Sequence, residues 1–177
     1  MPWRGWWSDH EYKRHSVQDI SSFCGYQVLR DLMVNADLDT ERLIPILFLT
    51  GGRLNEIMPL KRSNFIIGGE DKDTQRSDFI KVTGMVVEKQ KETTWRTFSW
   101  HRSEPLTDDL LDYLYTLGKD ELLIKQSASW VYKRITNLVR DEDGKSVWWS
   151  HRLRAERASQ LVTSYNFTDA MLMRWFG

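Results

Sequence analysis

The chain has 177 residues, 41% of them hydrophobic and 28% charged, which is enough for one globular domain with a substantial core. Its 25 basic and 25 acidic residues cancel, which excludes the global positive field of proteins that bind nucleic acid by net charge. One cysteine excludes an internal disulfide, no His and Cys cluster has zinc-ligand spacing, and no apolar run is long enough to span a membrane. We therefore expect an intracellular, cytoplasmic protein with neither a metal site nor a membrane partner.

The N-terminal part of the chain divides into an arm and the start of a domain. Residues 1–15 are polar, basic and aromatic without periodicity, which predicts a linker or arm. We expect residues 16–177 to form a single domain. SVQD at residues 16–19 has the spacing of a capping box, and the apolar residues after it predict a helix that runs through about Val34.

A second helix is expected to lead directly into a sharp turn. Thr40 can cap this helix, and the apolar stripe that follows ends at Gly51 and Gly52. Glycine readily takes the left-handed conformation in which many helices end. Arg53 should therefore follow a tight turn, and a short helix is predicted over residues 54–60.

Three short segments rich in β-branched and aromatic residues are predicted to be strands, at residues 65–67, 79–87 and 94–100. Residues 68–78 form a polar, glycine-started connection, whereas residues 88–93 are a short charged turn typical of a β-hairpin. The sequence thus predicts a small antiparallel sheet between two groups of helices.

The rest of the chain is predicted to be helical. Helices are expected to start near Thr107 and Ser129, and Ser150 and Thr168 can cap two more. The order of helices, a small sheet and helices again predicts an α+β fold that is mostly helical with a three-stranded antiparallel sheet. It argues against a parallel nucleotide-binding sheet.

Two arginine motifs about a hundred residues apart carry the candidate chemistry. They are TGGRLNE at residues 50–56, with Arg53, and HRLR, with His151 and Arg154 on one helical face. A planar guanidinium can hold two phosphate oxygens, and a histidine can transfer a proton near neutral pH. Taken singly, Arg53 is explained by a surface salt bridge and His151 by a satisfied histidine near a basic face. Together they predict a phosphate-binding site.

Further basic residues are predicted to act beside this site. Lys89 and Lys91 lie on the hairpin turn, where either could protonate a departing 5′ hydroxyl as a general acid, although a solvated turn explains either one alone. Arg152 and Arg157 add positive charge near the second motif, and Arg96 lies on the returning strand. We predict that Lys89 and these three arginines contact DNA.

LFLTGGRLNE at residues 47–56 and HRLR at residues 151–154 resemble the two arginine boxes of the catalytic domain of tyrosine recombinases, the phage integrase family. The resemblance covers the chain from about residue 16. It implies that the arginines of both boxes and the histidine of the second are catalytic. The implied reaction is site-specific DNA recombination or integration through a 3′-phosphotyrosyl link, which conserves the bond energy and needs no cofactor or metal.

The same resemblance bears on the general acid, the nucleophile and the partners. The family's catalytic lysine lies a few residues before an arginine of the returning strand, so the offset to Arg96 favours Lys91 over Lys89. Residues 172–177 resemble the approach to a site that precedes the family's nucleophilic tyrosine, whereas Tyr165 lies too early and is expected to pack. We therefore expect a truncated domain that binds double-stranded DNA without cutting it, monomeric as a fragment and tetrameric on DNA at full length.

Two other functions fit the same residues. One is a catalytically inactive DNA-binding or regulatory protein of the same fold, which agrees equally well with a net charge of zero. The other is a type IB topoisomerase, which uses the same kinds of residues.

Overall fold

The computed structural model describes residues 23–68, 78–87 and 94–177. These residues form helices on either side of a small antiparallel sheet, which confirms the predicted α+β class. In chain order the elements are α1 (Tyr26–Val34), α2 (Leu38–Thr50), α3 (Leu54–Ile57), a 3-10 turn (Arg62–Asn64), β1 (Phe65–Ile67), β2 (Phe79–Val86), β3 (Trp95–His101), α4 (Thr107–Leu114), α5 (Ala128–Thr136), α6 (Ser150–Tyr165) and α7 (Asp169–Phe176).

Helix α2 is the centre of the core. It is buried on all sides from Leu43 to Thr50, and α1, α4, α5 and α6 pack around it. A helix without a polar face must lie inside the protein, which explains this position. The Asp37 side chain caps it by accepting a hydrogen bond from the Thr40 backbone N–H at 2.9 Å. The cap is thus three residues earlier than predicted, and Thr40 itself is buried in the first turn.

The sheet has the order β1-β2-β3, and both pairs are antiparallel. Its inner face packs on the core because alternate residues of β2 and β3 are buried. The register shifts between Val82 and Met85, beside Gly84, whose φ is 71°. This irregularity keeps both Val82 and Met85 on the inner face, where Met85 is opposite Arg96.

Of three residues predicted to begin or cap helices, Thr168 is confirmed as a cap, whereas Ser129 and Ser150 do not cap their helices. Thr168 caps α7 as predicted, since its hydroxyl accepts from the Met171 backbone N–H. Helix α5 is capped by Ser127 instead of Ser129, because the helix begins one turn before its first buried residue, Val131. Ser150 is the first residue of α6 instead of its cap.

Several sequence predictions fall outside the described residues. They include the arm at residues 1–15, the capping box at 16–19 and the hairpin turn at 88–93, and they stay predictions. In the described part of the chain, each helix is too short or too polar to cross a membrane. The same part contains no group of three or more His, Cys, Asp or Glu residues that could hold a metal ion.

Candidate phosphate-binding site

The turn after α2 positions the first arginine motif. Gly51 ends the helix in the left-handed conformation, with φ of 55°, as the sequence predicts. A β-carbon at this position would lie only 2.5 Å from an edge atom of the Phe176 ring. Both the backbone conformation and the available space therefore require glycine here. The chain then reverses, and Arg53 becomes the residue immediately before α3.

Three arginines converge on the carboxylate of Glu56, whose side chain is fully buried. Arg53 donates to it twice, from the backbone N–H and from Nη1, each at 2.8 Å. Arg154 Nη1 lies 3.6 Å and Arg96 Nη2 4.0 Å from Glu56 Oε2. We call Arg53, Arg96 and Arg154 the arginine cluster. Three positive charges face one negative charge, so an anion would find a favourable potential here.

Arg154 brings the second motif to the first. From the first turns of α6, its Nη1 donates to the Gly51 carbonyl at 2.6 Å, across 103 residues of sequence. Its Nη2 donates to the Phe176 carbonyl at 3.2 Å, and its guanidinium carbon lies 4.5 Å from the centre of the Phe176 ring. The side chain is 5% exposed. The two arginines of the predicted boxes therefore share one carboxylate.

Arg96, predicted to contact DNA, belongs to the cluster, and its side chain is directed into the protein and 4% exposed. Its Nη2 donates to the Thr50 carbonyl at 3.1 Å, and its Nη1 donates to the Trp175 carbonyl. Burial lowers the pKa of Arg96 to about 10, while Glu56 opposes this change, so the side chain stays protonated at neutral pH. A basic residue at an inward position of the alternating strand β3 was the signal that could have revealed this role.

The other catalytic predictions have different positions. His151 is partly exposed in the first turn of α6, three residues before Arg154, so both lie on one side of the helix. Lys89 and Lys91 lie outside the described residues, and the choice between them stays a prediction. The hydroxyl of Tyr165, at the end of α6, lies 3.5 Å from Glu104, but the residue is 45% exposed, so it packs only in part.

Arg152 and Arg157, predicted as DNA contacts, are internal, and this is a correction. The Arg152 guanidinium lies over the Trp148 ring at 3.8 Å, and its Nε is 3.7 Å from Glu156. Arg157 has no exposed surface and forms an ion pair with the buried Glu104. Helix α6 is buried on every side from Arg152 to Leu161, so its charged side chains find their partners inside the protein.

Guanidinium groups form charge-assisted hydrogen bonds with phosphate oxygens, so the arginine cluster has the chemistry to hold a phosphate-sized anion if its buried donors are uncovered. Glu56 fixes the position of Arg53 before any ligand arrives, which reduces the reorganisation that binding requires. Comparison of the chain with known proteins finds no matching family model, no matching curated protein and no matching solved structure.

Proposed function

We propose that the chain is the catalytic domain of a site-specific DNA recombinase or integrase of the tyrosine recombinase type. The observation that carries this proposal is the convergence of Arg53 and Arg154 on one buried carboxylate, Glu56. The two arginines come from motifs about a hundred residues apart, and the family resemblance requires them to meet. The fold class agrees with the same proposal, since a small antiparallel sheet lies between two groups of helices.

The proposed chemistry follows from the charges of the site. Attack on a phosphodiester concentrates negative charge on the non-bridging oxygens in the transition state, and two guanidinium groups stabilise that charge. His151, one turn from Arg154 on α6, assists the transfer of the nucleophile's proton. A lysine of the hairpin turn, Lys91 in preference to Lys89, protonates the departing 5′ hydroxyl. Neither a metal nor an organic cofactor takes part in this scheme.

The nucleophile of the proposed reaction is a tyrosine that the family resemblance places after residue 177. It forms a 3′-phosphotyrosyl link, and the hydroxyl of a second strand then breaks that link. The proposed partner is double-stranded DNA, on which the full-length protein acts as a tetramer.

A second candidate function is a DNA-binding or regulatory protein of the same fold that does not cleave DNA. The burial of Arg154, only 5% exposed and bonded to the Phe176 carbonyl, favours this candidate. A site that hides its phosphate-binding arginine is less suited to catalysis unless the covering residue moves. The balanced charge of the chain agrees with both candidates.

The deciding experiment uses the full-length protein, which is incubated with a nicked duplex, and covalent protein–DNA adducts are measured on a denaturing gel. We expect adducts with the unaltered protein, and none with Arg53→Ala or Arg154→Ala, while duplex binding is largely retained. Arg134→Ala is the matched control, because Arg134 is an exposed arginine of α5 that pairs with Asp37.

Each outcome selects one function. Cleavage at normal rates in Arg53→Ala or Arg154→Ala would contradict the proposal. Duplex binding without any adduct would favour the non-cleaving protein. Relaxation of plasmids without recombination between two sites would instead favour a type IB topoisomerase.

The chain of 177 residues can be tested directly for DNA binding. We expect a weak mobility shift of duplex DNA that fades as the salt concentration rises, because phosphate contacts release counterions. Binding that does not depend on the salt concentration would contradict phosphate binding by the arginine cluster.

A further inference from the structure

The end of α7 occupies hydrogen-bond donors of the arginine cluster. Arg154 Nη2 donates to the Phe176 carbonyl at 3.2 Å, and Arg96 Nη1 donates to the Trp175 carbonyl. The Phe176 ring adds a second contact, since its centre is 4.5 Å from the Arg154 guanidinium carbon and 5.9 Å from that of Arg96. Two neutral carbonyl oxygens thus lie where the oxygens of a bound phosphate would be expected.

This contact hides two of the three arginines. The side chains of Arg96 and Arg154 are 4% and 5% exposed, whereas that of Arg53 is 21% exposed. Arg154 also donates to the Gly51 carbonyl, so both of its terminal nitrogens are engaged by main-chain oxygens. A phosphate that takes over the Nη2 hydrogen bond of Arg154 must therefore displace the Phe176 carbonyl.

Uncovering the cluster would require only the last turn of α7 to rearrange. Leu172, which is buried against α6, holds the rest of the helix, whereas the Trp175 ring, 4.9 Å from Phe98, would have to shift with the cover. Phe176 lies at the end of the helix, so only residues 175–177 would need to rearrange. Two buried donors near the end of α7, Trp175 Nε1 and Arg157 Nε, have no acceptor among the described residues. Imperfectly satisfied donors lower the cost of opening such a contact.

We propose that residues 175–177 form a cover over the arginine cluster, and that a DNA phosphate binds Arg154 and Arg96 only when this cover moves away. The inference rests on the proposed function, because it assumes that the cluster binds a phosphodiester. A phosphate competes well with the cover, because hydrogen bonds to a charged oxygen are roughly twice as strong as those to a neutral carbonyl. The closed cover keeps Arg154 and Arg96 bonded in the absence of DNA.

The test compares duplex DNA binding by the 177-residue chain and its variants at low salt, measured by fluorescence anisotropy. Phe176→Ala removes the ring that covers Arg154 and weakens the closed state. If the open state is a minor one, populated at about 10% or less, releasing it strengthens binding roughly tenfold or more. Met173→Ala is the matched control, because Met173 is 74% exposed on the same helix. We expect its affinity for DNA to be unchanged.

The outcomes separate the cover from the proposed function. The gain in Phe176→Ala must disappear in the double variant Phe176→Ala/Arg154→Ala. If Phe176→Ala binds no more tightly than the unaltered chain while Arg154→Ala abolishes adduct formation, the cover is refuted and the proposed function stands. If Arg154→Ala forms adducts at the normal rate, both inferences fail.

A second variant and a second probe guard against loss of folding. Phe176→Leu keeps an apolar side chain at position 176 but removes the aromatic face that stacks on Arg154. Its affinity for duplex DNA should therefore also rise, but by less than that of Phe176→Ala. Inorganic phosphate should raise the melting temperature of Phe176→Leu more than that of the unaltered chain, since a ligand stabilises the state that it binds. Equal shifts in the two proteins would overturn the cover.

Discussion

Replacing Arg157 with methionine should destabilise the protein strongly without altering the proposed binding of DNA. Arg157 has no exposed surface, and its partner Glu104 is 4% exposed. The change removes the positive charge and keeps a side chain of similar length. Glu104 would then remain in the core as a buried carboxylate without its guanidinium partner.

The magnitude follows from the burial of both groups. Breaking a buried pair by removing one partner costs about 3–5 kcal/mol of unfolding free energy, because the remaining charge is poorly solvated. Each kcal/mol corresponds to roughly 2–4 °C in melting temperature for a domain of this size, so Tm should fall by roughly 6–20 °C. The double variant Arg157→Met/Glu104→Leu should recover much of the loss, since replacing both partners with apolar residues is often neutral.

The measurement is urea unfolding followed by circular dichroism, with the thermal melt as a second reading. Arg134→Met is the matched control: Arg134 and Asp37 form an exposed ion pair, which contributes about 1 kcal/mol or less. A loss below about 1 kcal/mol in Arg157→Met would refute the reasoning about its burial. The salt dependence of duplex binding supplies an independent check, because loss of a phosphate contact would reduce its slope by about one. We expect the slope to stay unchanged.

Three further predictions concern the turn, the carboxylate and the first cap. Gly51→Ala should cost about 2 kcal/mol or more of unfolding free energy from the left-handed backbone and the contact with Phe176, and part of this loss should vanish in Gly51→Ala/Phe176→Ala, as urea unfolding would show. Glu56→Gln should cost about 3–5 kcal/mol, because it removes the only carboxylate among the four charged residues of the cluster contacts, and a loss near zero would contradict the role given to Glu56. Asp37→Ala should cost about 1 kcal/mol as a lost helix cap. The hydrogen bond from Thr40 lowers the pKa of Asp37, so this contribution is present above the ordinary aspartate pKa and disappears as pH falls through the lowered pKa; melts of both proteins at several pH values would test it.

Local sequence signals predicted most of the fold. Apolar periodicity and a glycine pair located α2 and its left-handed end at Gly51, and β-branched segments located the three strands to within about one residue at each end. The caps were less predictable. Helices α2 and α5 each have two nearby residues that could serve as the N-cap, Asp37 or Thr40 and Ser127 or Ser129. Which residue caps the helix depends on which helix face is buried.

The site was predictable only in part. The two arginine boxes indicated that Arg53 and Arg154 would meet, and they share Glu56. The positions of Arg152 and Arg157 were predicted wrongly because charged residues usually lie on the surface. A buried acidic partner that lies far away along the chain cannot be identified from the local sequence. Glu104, for example, is 53 residues from Arg157. Pairing of this kind depends on tertiary contacts, which composition and periodicity do not encode.

The long sequence separations at the turn after α2 also bear on how the protein folds. Arg154 reaches the Gly51 carbonyl across 103 residues, Arg96 reaches Thr50 across 46, and Arg96 reaches Trp175 across 79. Contacts of such high contact order form slowly, because distant parts of the chain must be brought together before any contact stabilises them. The arginine cluster should therefore be absent from any partly folded intermediate. The proposed phosphate binding would appear only in the last kinetic phase of refolding, after the helices and the sheet have formed.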